Sequence, residues 1–87
     1  MGYKWNPITD EMRETLDGAP MIGGMVWISY TDEYGNMDVT FARLETKDLC
    51  EFNWCDAFSG EVIASINDKN VTAWKYIDIP RPYGGTV

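Results

Sequence analysis

Two alternating runs, Met25–Thr31 and Met37–Glu45, stand on either side of Asp32-Glu33-Tyr34-Gly35-Asn36. Side chains that alternate with a period of two belong to strands. A short polar connection containing Gly35 or Asn36, both tolerant of positive φ, joins such strands as a hairpin. The faces of the first run are Met25, Trp27, Ser29 and Val26, Ile28, Tyr30, both largely apolar, which predicts a central strand or one covered on both sides. The second run is expected to turn Met37, Val39 and Phe41 inward and Asp38 and Thr40 outward. An antiparallel hairpin is therefore expected here, and a helix at either run would contradict it.

Three further runs read as strands. In Leu49 to Trp54, Cys50, Phe52 and Trp54 alternate with Glu51 and Asn53, and Glu61 to Ile66 places Val62, Ala64 and Ile66 on one side. Asn67-Asp68-Lys69-Asn70 is a turn that delivers the chain to a closing segment, Val71 to Tyr83. This segment puts Val71, Ala73, Lys75, Ile77 and Ile79 on one face and Thr72, Trp74, Tyr76 and Asp78 on the other, and Pro80 and Pro82 stop it. Trp74 is expected in the core. Ahead of the hairpin, Pro7-Ile8-Thr9-Asp10 starts a helix of about two turns with Thr9 or Asp10 as its cap. Met12 and Leu16 share one face of it, Ile8 lies beneath, and Gly18 and Pro20 close it. The predicted fold is α+β, a four- or five-stranded antiparallel meander with one short N-terminal helix, in a single domain spanning 1–87.

An 87-residue chain supports one modest core. Four Trp, five Tyr and three Phe are more rings than such a core can hide. The surplus predicts aromatic side chains at a surface, where they serve binding. The net charge is −7, which repels phosphate backbones and argues against generic nucleic-acid binding. The same charge would attract a basic partner, or simply keep a small protein in solution. No basic leader precedes an apolar run, and no stretch reaches the ~20 apolar residues of a membrane span, so a cytoplasmic location is expected.

Catalytic chemistry has little to work with. The chain has no His, so a nucleophile–base pair is hard to assemble. Cys50 and Cys55 are expected as reduced thiols in or beside a strand, and their spacing without His points away from a metal site. No phosphate-cradling glycine loop, dinucleotide fingerprint or calcium loop is present. No cofactor is expected, and the chain reads as a non-enzyme.

The closing segment resembles the end of the five-fifty-one family of domains of unknown function, which is common in phages and prophages. Val71, Thr72, Trp74, Pro80 and Pro82 carry the resemblance. Ala73 replaces the usual His, and Lys75 to Ile79 is two residues longer than the family spacing. Trp5 and Val26-Trp27-Ile28 match the opening Trp and the Val-rich strand of the family, with a longer insert between them. The resemblance implies a phage origin and a small β-rich fold, and it brings no catalytic residues.

Two binding roles follow for such a phage accessory protein. The first is an anti-defence inhibitor that blocks a host protein through an acidic surface with aromatic anchors, the acidic candidates being Glu11, Glu14, Asp32 and Glu33. The second is a sponge for a signalling nucleotide, stacking the base on aromatic rings and holding phosphate with cations; its candidates are Trp5, Arg43, Lys75, Arg81 and Tyr83. A homodimer that buries the surplus rings suits either role.

Overall fold

The hairpin forms where its alternation predicts. In the computed structural model, which describes residues 4–77, β2 (Met25–Thr31) pairs antiparallel with β3 (Met37–Thr46), Trp27 opposite Phe41 and Ile28 opposite Thr40. Gly35 takes the positive φ, +84°. The Asp32 carboxylate accepts the N–H groups of Tyr34 and Asn36, both at 2.9 Å, so the side chain fixes the turn from within.

Among the described residues six strands make one sheet, more than the four or five expected. The others are β1 (Asn6–Pro7), β4 (Phe52–Asp56), β5 (Val62–Ser65) and β6 (Val71–Tyr76), in the order β1-β6-β2-β3-β4-β5. Only β2 to β5 follow one another as a meander. The closing strand β6 returns to the far side of β2, and β1 adds outside it, Asn6 opposite Trp74. A central position for β2 is what its two apolar faces predict. The two-residue β1, containing Pro7, is too short to show a period, and Pro7 suits an edge because it has no N–H to donate.

A β-bulge corrects the expected faces of β6. Ser29 pairs with Ala73 but Tyr30 pairs with Val71, leaving Thr72 as the extra residue. The Thr72 hydroxyl donates to the Ser29 carbonyl at 3.3 Å, and its own carbonyl accepts the Ile8 N–H at 2.9 Å. One inserted residue reverses the alternation, so Val71 and Trp74, expected on opposite faces, both enter the core. Trp74 is 4% exposed, a core residue as predicted. Asp78, Ile79 and the Pro80–Pro82 exit lie outside the described residues.

The core occupies one face. Val26 and Ile28 of β2, Ala42 and Leu44 of β3, and Trp54 of β4 join Val71 and Trp74 under Ile8, Met12 and Ile66. Burial of each large side chain contributes about 1.5–3 kcal/mol. The helix α1 (Asp10–Thr15) belongs to this lid. Its cap is Thr9, whose hydroxyl accepts the Met12 N–H at 3.1 Å, with Asp10 and Glu11 in the first turn. It ends earlier than expected, at Leu16 with φ +63° rather than at Gly18 and Pro20, and the Leu16 side chain packs against the core.

Three other expectations are corrected. In β3 the inward residues are Ala42 and Leu44, while Met37, Val39 and Phe41 lie on the opposite face, Val39 being 47% exposed. The core is built where β3 meets β4, and there the even-numbered positions are apolar. The run from Leu49 becomes strand only at Phe52, because Asp48 accepts the N–H groups of Cys50 and Glu51 and holds the chain in a bend. Cys50 is therefore exposed and outside any strand, whereas Cys55 is buried. In β5 a second bulge, at Ile63, sends Val62 away from Ala64 and Ile66.

Candidate functional site

The other face of the sheet carries a rank of side chains running across the strands. Trp5, one residue ahead of β1, stands beside Lys75 of β6, whose Nζ lies 5.1 Å from the Trp5 ring centroid. Lys75 is paired with Trp27 of β2, and Trp27 with Phe41 of β3. The Trp27 and Phe41 rings stack with centroids 3.7 Å apart, and Phe58, in the loop after β4, meets Phe41 edge-on at 5.8 Å. The register of five chain segments thus aligns four rings and an ammonium group. Among the described residues, α1 and the segment leading from it are recruited to the core side, which leaves this face open. Phe58 is 76% and Trp5 40% exposed, and Met25, Met37, Val39 and Val62 extend the apolar surface around the rank.

Beside Phe58 the face sinks into an open depression of about 650 Å³, lined in part by Arg43, Glu45, Lys47, Glu51 and Val62. Arg43 Nε is buried there without a hydrogen-bond partner among the described residues. Cys55 lies in the same wall, and burial, with Glu45 nearby, pushes its thiol above the ordinary range while Lys47 partly offsets this. The depression's rim is set by two turns. Asp48 caps the first, and Asp56 caps the second by accepting the N–H groups of Phe58 and Ser59 at 2.8 and 2.9 Å. These backbone donors hold both carboxyls below the usual carboxylate range.

The sequence-derived candidates separate into groups. Trp5, Lys75 and Arg43 share the open face, where Lys75 meets Trp5 and Arg43 stands apart in the depression beside Phe58. Arg81 and Tyr83 lie outside the described residues. Glu11 and Glu14 are exposed on α1, and Asp32 and Glu33 occupy the tip of the hairpin, where Asp32 is engaged in the turn. The four stand on two separate elements, the helix and the hairpin connection. Acidic groups do adjoin an aromatic anchor, but they are Glu45, Asp48, Glu51 and Asp56 around Phe58. Trp27, Phe41 and Phe58 were not selected as site residues from the sequence. Their available signal was the apolar character of both faces of β2 in a chain with surplus rings.

Among the described residues, no helix is long and apolar enough to cross a membrane, and no group of three or more Cys, Asp or Glu is placed to hold a metal ion. The fold and surface define a small antiparallel-sheet protein with one face closed over a core and the other lined with aromatic rings. Searches against protein-family models, curated proteins and solved structures found no match.

Proposed function

We propose that this chain is a non-catalytic binding protein that attaches to a partner protein through the open face of its sheet. The carrying observation is the cross-strand rank Trp5, Lys75, Trp27, Phe41 and Phe58, set in exposed Met and Val side chains. Aromatic anchors surrounded by apolar surface are what protein interfaces use. A broad sheet face also suits a protein surface better than a small molecule, which favours an enclosed cleft. The finer reading is a phage accessory protein that blocks a host defence protein in the cytoplasm of the infected cell. Its phage origin rests on the five-fifty-one resemblance. The acidic helix and hairpin tip, with Glu11, Glu14, Asp32 and Glu33, would steer the face toward a basic partner.

Photo-crosslinking groups placed at Val39 and Phe58 should capture one and the same host protein, and a group at Thr15, exposed on the helix that lies on the core side, should not. Binding of that purified protein should weaken by about 10–100-fold in Phe58→Ala and Trp27→Ala. Unchanged affinity in natively folded variants would refute the reading. The arrangement of Lys75 over Trp5, with Trp27 on the next strand, favours nucleotide sequestration as the second reading. Calorimetry against cyclic and linear nucleotides tests it, and binding lost in Lys75→Ala and Trp5→Ala would support it over the first.

A further inference from the structure

We propose that, without its partner, this chain pairs with a second copy of itself, open face against open face. This goes beyond the partner-binding role and does not depend on the partner's identity.

Charge selects the face. Two copies that each carry −7 repel one another, so they meet most easily where local charge is balanced. The α1 region offers Asp10, Glu11, Glu14 and Asp17 against Arg13, and the hairpin end offers Asp32, Glu33 and Asp38 with no cation in that stretch. Either would set like charges against like. On and around the open face, Lys75, Arg43 and Lys47 stand against Glu45, Asp48, Glu51 and Asp56. This is also the face that leaves rings exposed.

The distribution along the rank selects the symmetry. Lys75 and Trp5 lie toward the β1–β6 end, and Phe58 with the carboxylates lies toward the β4–β5 end. A two-fold axis parallel to β2 and β3, running between the two sheets, exchanges these ends. Lys75 and Trp5 of one copy then lie over Phe58 and the acidic rim of the other, while the Trp27–Phe41 stacks meet at the centre. An axis across the strands would instead set Lys75 against Lys75. The favoured arrangement is an isologous sandwich of two aligned sheets. Six strands about 4.8 Å apart, averaging about five residues at ~3.3 Å, present roughly 29 × 17 Å of flat area. Side-chain relief raises this toward the ~800 Å² that each partner contributes to a stable interface.

Sedimentation velocity on the full chain from about 1 to 500 µM tests the proposal, with a monomer–dimer equilibrium expected in that range. Phe58→Glu and Val39→Glu alter exposed residues and should leave the far-UV circular dichroism unchanged while weakening dimerisation by at least about 30-fold. Lys75→Glu should weaken it less, and Tyr34→Glu, at the hairpin tip, should not change it. A monomer at every concentration would overturn the proposal, as would a dimer that survives both Phe58→Glu and Val39→Glu. A monomeric result leaves the partner-binding role standing, because the face is then unmasked. Failure to capture a host protein leaves the dimer test unaffected.

Discussion

Val26 and Ile28 on one face of β2 are fully buried, whereas on the other face Trp27 is half-buried and Met25 is exposed, although all four are apolar. The same contrast continues in β3 between Ala42 and Leu44 and the pair Val39 and Phe41. Hydrophobic character therefore does not decide which face becomes core. The decision comes from what the flanking chain can lay over it. Ile8, Met12 and Ile66 close one side, with Leu16 and Ala19 packed against them. The described chain has little left for the other side.

The largest test of this contrast is a matched pair of substitutions. Trp54→Ala empties a position of 0% exposure and should destabilise the fold by about 3–5 kcal/mol in urea unfolding, and Trp74→Ala should fall in the same range. Phe58→Ala, on the open face, should change stability by no more than about 0.5 kcal/mol. Equal losses would mean that the open face is structural rather than available for contact.

A smaller test acts on the lid of the closed face. Thr9→Ala removes the acceptor that caps α1 and should cost about 1 kcal/mol, read as a lower urea midpoint. No loss would show that packing of Ile8 and Met12 holds the lid without its cap.

The smallest test concerns the two turns at the rim of the depression, the second of which presents Phe58. Asp48 and Asp56 titrate below their unfolded values because backbone N–H groups bind their charged forms. Their contribution is present above the unfolded value near pH ~3.9 and is lost as the pH falls through the depressed folded values. Urea unfolding across this acid range should show stability falling with pH. Asp48→Asn and Asp56→Asn should flatten that dependence, and an unchanged slope would remove these carboxyls from the account.

The hairpin was legible because two local signals agree there, the period-two runs and the Asp32–Asn36 turn. The α+β type and a helix cap at Thr9 or Asp10 followed from equally local features, and the structure selects Thr9. The place of β6 beside β2 did not, since alternation says nothing about which distant strand will be a neighbour. The Thr72 and Ile63 bulges escaped for a related reason: one extra residue leaves no mark on a repeat until its partner strand is known. The site divides in the same way. Trp5, Arg43 and Lys75 were singled out by residue type, and the contact of Lys75 with Trp5 comes only from register. Phe41 was assigned to the interior because β3 is apolar at odd positions as well as at Ala42 and Leu44.

The margins of the sheet bear on what this protein does when abundant. One outer strand is the two-residue β1 with Pro7, and the other is the four-residue β5 with its bulge. Neither presents a long, flat row of free backbone groups for another molecule to extend. Growth by adding strands is therefore discouraged at both ends. Pairing about a two-fold axis uses its surface up in a single step. A dimer formed as proposed above therefore stops at two copies, and raising the concentration should fill dimers rather than lengthen fibres.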